Sequence, residues 1–98
     1  MYLIRDIFHL KFGQYREVKA LLDDAMQRHL LPQEQGSRVL TDFTGKSYRL
    51  IFEQPAASLA DYEKSLQQEL SHPDWKNWYA QFKQHVEASE REILKQIY

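Results

Sequence analysis

Cysteine is absent from this 98-residue chain. That excludes a disulfide framework, a thiolate metal site and a thiol nucleophile. An excess of charge of one sign is missing too: 13 Lys and Arg are scattered among 14 Asp and Glu, for a net charge of −1. Nucleic-acid recognition calls for clustered Lys and Arg with a clearly basic balance, so no nucleic-acid partner is expected. No apolar stretch approaches the ~20 residues that span a bilayer. The chain opens directly on a strand-like run, with no charged segment ahead of a hydrophobic block. The expectation is a cytoplasmic protein with no membrane partner. Internal repeats, low-complexity tracts and linkers are lacking, so residues 1–98 are expected to form a single domain. No Ser-His-Asp set, phosphate-binding glycine loop or paired-carboxylate motif is present. The four histidines have no metal-ligand spacing, and no metal site is expected.

What the chain does contain is a clear succession of periods. Tyr2 to Lys11 is rich in β-branched and aromatic residues and reads as a strand, broken by Phe12-Gly13. From Gln14 to about Leu30 the period becomes helical, with Tyr15, Val18, Leu22, Ala25, Met26 and His29 on one stripe. Pro32 stops that helix and the polar segment from Gln33 to Ser37 is a loop. Arg38–Phe43 and Ser47–Glu53 are strand-like runs joined by Thr44-Gly45-Lys46, the pattern of a β-hairpin. A second helix follows, opened by Ser58-Leu59-Ala60-Asp61, which resembles a capping box, with Leu59, Tyr62, Leu66 and Leu70 as its buried stripe. Ser71 or His72 ends it and caps the next helix, with Pro73 in the first turn. Trp75, Trp78, Tyr79, Phe82 and Val86 then recur at helical spacing, predicting an aromatic-faced helix to about Ser89. Ile93–Tyr98 is the last strand.

The order β-α-β-β-α-α-β predicts an α+β, ferredoxin-like protomer, a four-stranded antiparallel sheet with helices on one face. Alternation divides the strands into two sets. Tyr2, Ile4, Asp6, Phe8, Leu10, Val39, Thr41, Phe43, Tyr48, Leu50 and Phe52 form the more apolar set, assigned to the helix side. The other set joins Leu3, Ile7, Leu40 and Ile51 to Arg5, His9, Arg38, Asp42, Arg49 and Glu53. Complementary charges around an aliphatic centre suit a surface covered by another subunit, so a homodimer is expected.

The opening strand with Leu10-Lys11-Phe12-Gly13-Gln14-Tyr15, the central hairpin, and His72-Pro73-Asp74-Trp75, Phe82, Glu87 and Glu90-Arg91-Glu92-Ile93 resemble NIPSNAP-type domains. The resemblance covers nearly the whole chain and rests mostly on packing residues. It implies membership of the dimeric α/β-barrel superfamily, in which ferredoxin-like protomers pair sheet to sheet with helices outside. Many NIPSNAP domains carry Arg near the place of Asp6. The same superfamily holds antibiotic-biosynthesis-type monooxygenases, some heme-degrading, with an Asn on the first strand and a Trp and His near the helices. Asp6, Trp75 or Trp78, and His85 are the loose counterparts.

Candidate chemistry falls on few residues. Asp6 is the one carboxylate in an apolar strand set and is a candidate proton acceptor or donor in a cleft; its structural alternative is an ion pair with an arginine. His85, at the margin of the aromatic stripe, is a candidate proton shuttle or heme ligand; its alternative is a hydrogen-bonded helix residue. Trp75, Trp78, Tyr79 and Phe82 either wall a pocket for a planar ligand or pack the core. The expected activity is binding of a small hydrophobic or aromatic molecule between helices and sheet. A monooxygenase and a dimerisation module without a pocket are the alternatives. The residues name no cofactor and leave open whether the protein is an enzyme.

Overall fold

In the computed structural model, residues 1–31, 35–45 and 48–98 are described. The expectations for Pro32, Gln33, Glu34, Lys46 and Ser47 lie outside them. The strands are β1 (Tyr2–Leu10), β2 (Arg38–Thr41), β3 (Arg49–Ala56) and β4 (Val86–Lys95). The helices are α1 (Tyr15–Gln27), α2 (Leu59–Ser71) and α3 (Pro73–Phe82), the last running into one 3-10 turn over Lys83–His85. The sheet order is β2-β3-β1-β4 with every pairing antiparallel, the ferredoxin-like arrangement.

Local chemistry explains most boundaries. Gly13 turns the chain from β1 into α1 at a φ of +76°, where a side chain would be strained. Ser58 caps α2 by accepting from the Asp61 N–H at 3.1 Å. His72 closes α2 and opens α3, its Nδ1 accepting from the Asp74 N–H at 3.2 Å ahead of Pro73 in the first turn. α1 ends at Gln27, short of the expected Leu30. His29 there adopts a φ of +56°, and Leu30 N–H reaches back to the Ala25 carbonyl at 2.9 Å. This is a Schellman closure, with buried Leu30 and Ala25 in the positions of its hydrophobic contact.

The largest departure is at the C-terminal end. α3 stops at Phe82, and the strand starts at Val86 and ends at Lys95, not at Tyr98. The charged run Glu87, Glu90, Arg91, Glu92 reads locally as the polar side of a helix. It pairs instead along β1 from Leu10↔Val86 to Tyr2↔Lys95, and the Lys11 N–H holds the His85 carbonyl at 2.8 Å. Ladder bonds along the whole of β1 override local helix preference. β3 likewise runs on to Ala56. Pro55 is tolerated because β2 ends at Arg38 opposite Glu53, leaving the outer side of β3 unpaired there.

The two-faced alternation holds on β1 and β3. Phe8, Leu10 and Leu50 are buried beneath Val18, Leu22 and Ala25 of α1 and Trp78 and Phe82 of α3, and Ile4 is fully buried further along β1. Phe82 is the hub, edge-on to Phe8 at 4.9 Å and stacked with Trp78 at 5.1 Å. Phe43, expected under the helices, is fully exposed because β2 ends at Thr41 and the chain turns away. Leu59 and Leu70 are also exposed, and Tyr62 is the only buried residue of α2. α2 thus stands off the sheet and leaves a gap beneath it.

Candidate functional site

The gap is a cavity of about 850 Å³ between helices and sheet. Its floor is Asp6 and Phe8 of β1 and Leu50 and Phe52 of β3; Val39 of β2 is 43% exposed on this covered side because nothing lies over it. Leu22, Leu66, Trp75, Trp78 and Tyr79 form the walls. The volume falls within the ~300–1,000 Å³ typical of small-molecule sites.

Three of the aromatic residues singled out in the sequence meet at this cavity. Trp75 and Tyr79 lie face to face at 4.8 Å and 9°, and Trp78 lines the wall while its indole N–H donates to the Leu21 carbonyl at 2.7 Å. Phe82 is fully buried in the core behind them and is not part of the wall.

Asp6 also lies beneath the helices and lines the cavity, in a partnership. The Arg91 Nε donates to its Oδ1 at 2.5 Å, across the register pair Asp6↔Arg91. The guanidinium sits 5.6 Å from the centre of the Tyr62 ring. Burial works against the Arg91 charge, but the Asp6 bond and charge and the nearby phenols outweigh it, so its pKa stays above the ordinary value. The Tyr62 hydroxyl is buried without a hydrogen-bond partner among the described residues, and burial raises its pKa.

His85 is elsewhere. It precedes Val86, the partner of Leu10, whereas Asp6 faces Arg91; residues 6 and 10 are about 13 Å apart along a strand. Its Nδ1 lies 2.5 Å from the Gln14 side-chain oxygen, pinning the end of α3 to the start of α1. Among the described residues no histidine lines the cavity. Among the described residues no group of three or more His, Cys, Asp or Glu could hold a metal ion.

Sequence reasoning missed Arg91 and Tyr62 as site residues. Arg91 fell in the link between an overlong helix and a late strand. Had the strand been started at Val86, alternation alone would have set Arg91 on the side of Asp6.

On the opposite face Arg38, Glu53, Arg5 and Glu92 form a row across the strands β2, β3, β1 and β4. Glu53 is 2% exposed, bonded by Arg5 at 2.8 Å and by Arg38. The Arg5 hydrogen bond, seconded by Arg38, holds its carboxyl below the usual range against the opposing effect of burial. Arg49 clasps Asp42 at 2.9 Å, and His9 meets Glu90 at 3.0 Å. Leu3, Ile7, Ile51, Leu40 and Leu94 lie among these charges, with Leu40 and Leu94 exposed.

Among solved structures, a NIPSNAP family protein of unknown function from Agrobacterium tumefaciens matches with a TM-score of 0.83 at 18% identity, covering 98% of this chain and 87% of that one. The chain has the NIPSNAP fold. An uncharacterized NIPSNAP domain protein from Burkholderia xenovorans matches with a TM-score of 0.82 at 14% identity, over 98% of this chain and 94% of its own. An antibiotic biosynthesis monooxygenase matches with a TM-score of 0.75 at 10% identity over 100% of both chains. No family model and no curated protein matches by sequence. The NIPSNAP fold is thus shared nearly end to end at identities that speak for architecture alone. The expectation of a ferredoxin-like, NIPSNAP-type protomer is met.

Proposed function

We propose that this protein is a homodimer that binds a small hydrophobic or aromatic molecule in the cavity between its helices and its sheet. The observation that carries this reading is that the cavity is there and reaches Asp6. A core that served only packing would be filled. Here α2 is held away from the floor, aromatic side chains wall the space, and a charged pair lies at one side. Trp75 and Tyr79 supply the contact surface, the buried Trp78 and Phe82 back them, and Asp6 with Arg91 supplies polarity. Homodimerisation through the open face is supported by its exposed leucines among complementary charges.

The test is titration with N-phenyl-1-naphthylamine, an uncharged dye that fluoresces in apolar surroundings. Saturable binding of one dye per chain is expected, with loss of that binding in Leu66→Trp, which fills the cavity from α2. Fluorescence that never saturates, or is unchanged in a folded Leu66→Trp, would refute the pocket.

The match to an antibiotic biosynthesis monooxygenase supports a second reading, oxygenation by O2 of a bound molecule that itself supplies the electrons: a ring CH2 becomes C=O and the second oxygen atom leaves as water. In it Asp6 accepts the substrate proton and His85 keeps a structural place. Oxygen uptake with a bound aromatic substrate, lost in Asp6→Ala, is the expected result; binding without uptake would leave the binding function alone.

A further inference from the structure

The cavity joins an aromatic wall to a set of polar groups that is incompletely used. Arg91 donates through Nε to Asp6 Oδ1, while its two terminal nitrogens make no hydrogen bond among the described residues. The second Asp6 oxygen likewise accepts none there. The Tyr62 hydroxyl is the third polar group beside them without a partner. A hydrocarbon ligand would desolvate this corner and give nothing back, leaving donors and an acceptor unmet. A carboxylate ligand would meet Arg91 but stand against the Asp6 charge. An ammonium ligand would face the opposite conflict with the guanidinium.

One group answers both partners. A neutral hydroxyl can donate to the free Asp6 oxygen and accept from an Arg91 terminal N–H. Both bonds would be charge-assisted. We infer that the ligand class is an uncharged hydroxyaromatic compound, its ring system against Trp75 and Tyr79 and its hydroxyl in the fork between Asp6 and Arg91. This rests on the cavity being a binding pocket and adds the chemistry of the ligand's head. Arg91 and Asp6 are 44% and 22% exposed in the free protein, so a ligand ring laid over them strips their water, and the matching hydroxyl replaces it where a bare ring does not.

Equilibrium dialysis at neutral pH with 2-naphthol, naphthalene and 2-naphthoate separates the possibilities on the wild-type protein. The expected result is 2-naphthol bound at least ten-fold tighter than either of the others. The double variant Asp6→Asn, Arg91→Met keeps similar volume and should bring 2-naphthol down to the affinity of naphthalene. Equal affinity of naphthalene and 2-naphthol, tighter binding of 2-naphthoate, or a preference that survives in the folded double variant would overturn the head-group assignment and leave the pocket standing. Binding of none of the three would overturn both. Should the double variant fail to fold, the three-ligand comparison on the wild-type chain decides alone.

Discussion

At the scale of single residues, His29 shows what a helix end demands. Its left-handed conformation closes α1, and a side chain there carries a steric cost that glycine lacks. His29→Gly is expected to stabilise the fold by a net ~0.5–1 kcal/mol once the entropy that glycine adds to the unfolded chain is subtracted from the steric relief. A melting temperature raised by about 2–8 °C would register it. Glu53 is the other residue whose role is set by its neighbours. Its folded pKa is lowered, so its contribution is present above the unfolded value of about 4.3 and is lost as pH falls through the lower folded one. Glu53→Gln should destabilise by roughly 1–3 kcal/mol near neutral pH. Urea unfolding across the acid range should show the gap to the wild type closing below about pH 4; a pH-independent gap would deny the ion pair its part. Asp6 was legible as an acid in an apolar strand, but the partner that occupies it was not, because Arg91 is far away in sequence and meets it only through β1–β4 register.

At the scale of elements, α3 grips the sheet through the buried Trp78 and Phe82. Phe82 touches Phe8, Phe52, Trp78 and Tyr79 and is completely buried. Phe82→Ala is expected to cost about 3–5 kcal/mol, measured by denaturant unfolding. α2 is the contrast, held by its Ser58 cap and by Tyr62 with little else buried. Hydrogen exchange should therefore be faster along α2 than along α3. The aromatic stripe and the caps of both helices could be read directly, since spacing and capping chemistry are local. The end of α3 and the start of β4 could not, since helical spacing through Val86 and strand pairing with β1 compete for the same residues and only the partner strand decides.

At the scale of the whole molecule, the open face bears on assembly. Its apolar residues would be a liability in water, and the charges among them are arranged in complementary pairs. Light scattering is expected to give twice the 11.8 kDa chain mass, and Leu40→Glu to reduce it toward that single mass. A wild-type particle of one chain mass at high concentration would sink the dimer.

The sequence by itself determined the class and order of the elements, the sidedness of β1 and β3, and the set of aromatic residues offered to the interior. These follow from period, capping and alternation, each a property of neighbours along the chain. Only the tertiary structure decided that α2 stands clear of the sheet, that Arg91 meets Asp6, and that His85 lies away from the cavity. Those depend on which strand lies beside β1, in what register, and on how much space three helices leave above the sheet, quantities that no local stretch of residues contains.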